Sequence, residues 1–147
     1  MHNIDQLRDY PVVTPIDIRW GEQDPLGHVN NTVYFRWFEI ARIEYLNRVD
    51  SNITMHGGGI GPILASIKCD FKKQLKFPDR VHVGTKVEHV GRTSVKVVHA
   101  VYSEQHQDIA ALGESTLVIF DYNTNKPQRV SEPLRVEIAR IQAACGS

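Results

Sequence analysis

The stretch TVYFRWFEIARIEYLNRV, residues 32–49, is apolar on nearly every side of the helix it predicts. At 1.5 Å per residue it would be ~27 Å long. Val33, Tyr34, Trp37, Phe38, Ala41, Tyr45 and Leu46 cover most of its circumference, and Phe35, Ile40 and Ile43 fill much of the rest. Charge is confined to Arg36, Glu39, Arg42, Glu44 and Arg48. A helix this apolar has to be wrapped by other structure and cannot lie on a surface. Glu39 and Arg42, three apart, are placed to pair with each other.

The wrapping material reads as β. Pro15 to Trp20 alternates, with Ile16, Ile18 and Trp20 on one face. Residues 1–13 read as a lightly packed, partly helical leader, and Asp50 to Gly61 as a glycine-rich loop. Pro62 to Gln74 is a strand with Ile63, Ala65, Ile67, Cys69 and Phe71 on one side. Phe77-Pro78-Asp79 is a turn, and strands follow at Arg80–Val90, Ser94–Glu104 and Ile109–Asp121. Their short links favour an antiparallel meander. Ser131 caps a final helix in which Leu134, Ile138 and Ile141 form one stripe. The expected fold is α+β: an antiparallel sheet of about five strands around one long central helix, with a short C-terminal helix, in a single domain over 1–147. Open sheet edges, and an outer face carrying Val98, Ala100 and Tyr102, predict a homo-oligomer, dimer or tetramer.

Just before the long helix the chain reads Asp24, Pro25, Gly27 and His28, then Asn30 and Asn31. Asparagine is a favoured helix cap. The free N–H groups and positive dipole end of a helix start can stabilise a carbonyl oxygen that gains negative charge. Asp24, seven residues before Asn31, can reach the same spot if the loop folds back. Turn chemistry alone also favours an aspartate there. His28 can donate to a substrate, orient Asp24, or simply pack.

The run DPLGHVNNTVYFRWFEIAR, together with Asp70-Phe71 and the Gly91-Arg92-Thr93-Ser94 connection, resembles the hotdog-fold acyl-CoA thioesterases, and within them the 4-hydroxybenzoyl-CoA thioesterase family. The resemblance implies a hotdog fold and cleavage of an acyl-CoA, or an acyl-carrier-protein thioester, to free acid and thiol. It implies Asp24 as nucleophile or general base, the backbone N–H of Asn31 as the group polarising the carbonyl, and His28 beside them. Asn30, Tyr34, Lys72, Arg92, Thr93 and Ser94 then fall at substrate-binding positions, Arg92 and Ser94 toward coenzyme A across a subunit interface. Lys72 and Lys73 are the weaker candidates, for its phosphates.

The chemistry fits those residues. A thioester carbonyl is electrophilic and its thiolate leaves readily, so one carboxylate and one oxyanion donor suffice, without cofactor or metal. A hotdog hydratase acting on enoyl thioesters, using His28 with Asp24, and a non-catalytic acyl-CoA-binding module are the rival readings. Other chemistries lack their motifs. His56-Gly57-Gly58-Gly59 imitates an esterase oxyanion loop, but no G-x-S-x-G accompanies it, and Gly113-Glu114-Ser115-Thr116 does not supply one. There is no nucleotide-binding glycine loop and no H-E-x-x-H. Seventeen basic residues balance seventeen acidic ones, which gives nucleic acid or an anionic membrane no global field to read. Two cysteines, the absence of an apolar signal core in MHNIDQLRDYPVV and the absence of a ~20-residue apolar run predict a cytoplasmic protein.

Overall fold

The computed structural model describes residues 4–49 and 59–144. The loop expected at Asp50–Gly61 therefore lies largely outside the described residues, as does Cys145. A 3-10 turn, Asp5–Leu7, precedes β1 (Val12–Asp17); a second, Trp20–Glu22, leads to α1 (Asn31–Leu46). Then come β2 (Ile60–Phe71), β3 (Arg80–Val90), β4 (Ser94–Ser103), β5 (Asp108–Asp121), the two-residue β6 (Lys126–Pro127) and α2 (Glu132–Ala143). The strands form one antiparallel sheet in the order β1-β3-β4-β5-β2, with β6 beside β5. This is the hotdog arrangement: α1 lies in the concave face of the curled sheet, and α2 closes one end.

The meander expectation holds for β3, β4 and β5 but not for β2. Although β2 precedes β3 in the chain, it pairs with β5, from Ile60↔Asp121 to Phe71↔Ala111, and so forms the opposite edge from β1. Residues 72–79 carry the chain back across the end of the β4–β5 hairpin. The Lys72 and Lys73 amides donate to the Ala110 carbonyl, and His106 Nε2 lies 2.9 Å from the Gln74 carbonyl. Leu75 in this crossing is fully buried, and Phe77-Pro78, a cis peptide bond, forms the expected turn.

Beneath α1 the packing is close. Phe38 sits on Gly113, where an added Cβ would fall 2.4 Å from the ring, so a residue without a side chain makes room for the helix. The His99 ring stacks parallel on Phe38 with centroids 4.8 Å apart. Tyr34, Trp37, Ala41 and Tyr45 are buried as expected. Ile40 and Ile43 are not; they are 37% and 52% exposed, so one side of the helix stays open. Glu39 and Arg42 interact through their charges but form no close ion pair; Arg42 Nη1 donates instead to Ser115 Oγ at 3.1 Å. The cause is register: Arg42 faces the sheet while Glu39 faces solvent.

Three further expectations change. Trp20 is 74% exposed instead of inward, because β1 stops at Asp17. There the Ile18 amide leaves the ladder for the Asp79 carbonyl, and a 3-10 turn follows. Ala65 is exposed because a bulge between Leu64 and Ser66 takes it out of pairing, which also turns Ile63 to the outer face opposite Val118. The leader is not lightly packed. Leu7 is fully buried in a turn lying on β4, and Tyr10 covers Gly84, so Ala100 on the outer face is only 1% exposed. Much of the remaining outer face is a row of alternating charge, Lys68–Glu114–Lys96–Glu88, with contacts of 2.9–3.6 Å.

Candidate active site

The segment between β1 and α1 folds back as a narrow ladder. The Asn30 amide donates to the Glu22 carbonyl (2.9 Å), Gln23 bridges Val29, and the Asp24 amide donates to the His28 carbonyl (2.7 Å). Gly27 turns the chain at φ +81°, a conformation glycine adopts without strain. The ladder is tied to the 72–79 crossing on both strands: the Val29 amide donates to the Leu75 carbonyl (2.8 Å), and Gln23 Oε1 accepts the Phe77 amide (3.1 Å).

Within this frame Asp24 Oδ1 accepts two loop amides, Leu26 at 2.9 Å and His28 at 3.2 Å. Those two bonds fix the plane of the carboxylate. Among the described residues Oδ2 has no hydrogen-bond donor. His28 therefore orients Asp24 through its backbone, by N–H to the carboxylate and C=O to the Asp24 amide. At the other end of the ladder Asn30 is the helix cap; its Oδ1 accepts the Thr32 amide (3.0 Å) and hydroxyl (2.9 Å), and its carbonyl accepts the Val33 amide. The Asn31 N–H, first in the helix and exposed, has no acceptor among the described residues. A carboxylate oxygen and a helix-start amide are thus both available on one short ladder.

The other expected site residues are spread more widely. Tyr34 is core: 2% exposed, its ring edge-on to Phe71 at 4.9 Å and near Trp37 at 5.0 Å, with burial pushing its phenol up to about 12. Lys72 is exposed at the start of the crossing, and Lys73 is 3.6 Å from Asp108. Arg92, Thr93 and Ser94 form the β3–β4 connection, where the Arg92 and Thr93 carbonyls accept the Val130 and Ile119 amides. That connection lies at the opposite end of β3 from the 72–79 crossing, which holds the Asp24 segment through Leu75 and Phe77. Eleven strand residues at ~3.3 Å each separate the two ends by roughly 35 Å. One chain does not bring Arg92 to Asp24.

Sequence reading missed a buried polar cluster under α1. His99 Nδ1 is 3.0 Å from Thr85 Oγ1, its Nε2 has no partner among the described residues, and Arg42 bonds Ser115 nearby. Burial, with the Arg42 charge adding to it, pushes the His99 ring down to about 3, so it is neutral. Its signal was available: in VKVVHAVYS, His99 shares the inward parity of Val97 and Val101. Among the described residues there is no group of three His, Cys, Asp or Glu able to hold a metal ion, and no helix long and apolar enough to cross a membrane.

The fold is shared with known proteins. Residues 18–138 match the model of the thioesterase-like superfamily. A thioesterase of Thermus thermophilus, solved with coenzyme A and zinc, superposes with TM-score 0.80 at 30% identity, covering 92% of this chain and 96% of that one. The long-chain acyl-CoA thioesterase FadM of Escherichia coli is 23% identical over 128 residues, 87% of this chain and 97% of FadM. An uncharacterized Bacillus subtilis protein, YsmA, is 29% identical over 80 residues; that alignment spans 54% of this chain and 53% of YsmA. With a family match across most of its length and the fold to go with it, the chain belongs to the thioesterase-like superfamily, as a hotdog-fold thioester hydrolase.

Proposed function

We propose that this protein hydrolyses an acyl-CoA, or the same acyl group on a carrier protein, to free acid and thiol. The observation that supports this most is the pairing on one ladder of an oriented carboxylate, Asp24, with an unoccupied helix-start amide, Asn31. The Glu22–Asn30 and Asp24–His28 rungs are two residues apart, about 7 Å along the strand. A thioester carbonyl contacting a group on each side at about 3 Å fills such a gap.

In this reading the Asn31 N–H and the positive end of α1 receive the carbonyl oxygen as it becomes an oxyanion. Asp24 Oδ2 either attacks the carbonyl carbon, giving an anhydride that water opens, or removes a proton from the attacking water. In both routes the C–S bond breaks and coenzyme A leaves as its thiol. His28 positions Asp24 through its amide. The hydratase alternative would need the imidazole itself beside the carboxylate, whereas the bonds that tie His28 to Asp24 are backbone ones.

The distant Arg92–Ser94 connection supports a homo-oligomeric site, in which a second copy brings these residues to the coenzyme A moiety. Lys72, exposed where the chain leaves β2 for the 72–79 crossing, is available to the phosphates. The free thiol of Cys69 suits the reducing cytoplasm, where coenzyme A thioesters are handled.

A thiol-release assay over short, long and aromatic acyl-CoAs tests the activity. Turnover by the native chain and a loss of ~10²–10⁴-fold in Asp24→Ala are expected; equal turnover by the two proteins removes the mechanism. Mixing Asp24→Ala with Arg92→Glu chains tests the shared site. Mixed oligomers are expected to regain part of the native rate, and recovery of none contradicts a site made by two copies.

A further inference from the structure

A groove of about 360 Å³ lies between the end of β1, the Trp20–Glu22 turn and α1. It differs from the cavity at the other end of α1, which measures about 30 Å³, room for water but not for a ligand. Ile16, Trp37 and Ile40 give it an apolar floor, and Arg19 and Arg36 stand at its rim. Two carboxylates also line it, and both are engaged. Asp17 Oδ1 is 2.7 Å from Arg80 Nε, and Glu22 Oε1 accepts the Arg19 amide at 2.6 Å. Neither Arg19 nor Arg36 has a carboxylate within ion-pair distance among the described residues. Trp37 is 1% exposed, and its indole N–H has no acceptor among the described residues.

We propose that this groove binds a small organic acid, an apolar body carrying one carboxylate. The volume lies in the range of small-molecule sites, which are mostly apolar with a few placed polar groups. Guanidinium groups recognise carboxylates by paired, charge-assisted hydrogen bonds, and two of them flank the floor without an ion pair to Asp17, Glu22 or any other described carboxylate. An alkyl or aryl body covers Ile16 and Ile40 and removes them from water. A bare inorganic anion leaves that floor uncovered, and a neutral alcohol brings no charge to the two guanidinium groups.

The chain has two tryptophans, so Trp20→Phe leaves Trp37 as the only indole reporter. Octanoate titrated into this variant is expected to change Trp37 emission saturably and to shift the indole N–H resonance. Octanol and inorganic phosphate are expected to bind at least tenfold more weakly, and Arg19→Gln with Arg36→Gln to weaken octanoate at least tenfold. An added Asp24→Asn change is expected to leave octanoate affinity unaltered, which separates this groove from the reaction loop. No saturable response, octanol binding as tightly as octanoate, or loss of binding in Asp24→Asn alone would overturn the proposal.

Discussion

The two ends of α1 are built from different materials. At its C-terminal end Tyr45 and Val49 pack with Val95, Val97, Leu117 and Ile119 of the sheet and with Leu134, Ile138 and Ile141 of α2, an apolar cluster closed over the helix. Polar contacts there are few: the Tyr45 hydroxyl donates to Gln142 Oε1 (2.8 Å), which also accepts the Val87 amide (2.9 Å). At the N-terminal end only Ile18, Val29 and Leu75 join the core from the loops, and what faces outward is backbone. A ladder, a capped turn and an amide without an acceptor among the described residues meet solvent there. Apolar area removed from water is a non-directional source of stability, so one end can hold the helix in place. The other end can then leave hydrogen-bonding capacity unused, which a reaction site requires.

Substitutions should therefore separate stability from rate according to the end they touch. Ile138→Ala, at the closed end, is expected to lower stability by ~2–5 kcal/mol by chemical denaturation. Its turnover per folded molecule should stay native; a matching fall in turnover would mean that the two ends are coupled. His99 lies between them. Its neutral ring is held at about 3 in the folded chain against the ordinary 6.5, so the unfolded chain binds a proton more readily over that interval. Its contribution is complete above about pH 6.5 and is lost as pH falls toward 3, with a slope of up to ~1.4 kcal/mol per pH unit. His99→Gln should flatten the stability profile between pH 7 and 5; an unchanged profile would mean that other groups dominate it. The smallest stability change belongs to the open end. Asn30→Ala removes the acceptor for the Thr32 amide and is expected to cost ~0.5–2 kcal/mol. Turnover should nevertheless fall more than in Ile138→Ala, because the cap holds the reacting amides in position.

Local pattern carried much of this architecture. The bounds of β3, β4 and β5 agree with the alternation to within a residue, and Ser131 caps α2 as read, its hydroxyl accepting the Leu134 amide. Asp24, His28 and Asn30 were legible because loop and cap chemistry act over two to four residues. What escaped depends on contacts distant in sequence. Nothing within β2 specifies β5 as its neighbour instead of β3; the curl of the sheet does. Arg42 had a partner three residues away by helix geometry and took one seventy-three residues away by register. Trp20 looked inward because alternation continues through it, yet the Asp79 carbonyl had already drawn Ile18 off the ladder. The leader looked lightly packed because the surface it rests on, β4 beneath the Asp5–Leu7 turn and Gly84 beneath Tyr10, exists only once the sheet has formed.

The most direct measurement compares Asp24→Asn with the native protein in steady-state thiol release and in melting temperature on the same preparations. The replacement keeps the side-chain oxygen that the Leu26 and His28 amides bind while removing the charge. The account predicts a melting temperature within a few degrees of native and a kcat at least ~10²-fold lower. A kcat within twofold of native in a protein that melts normally would contradict it.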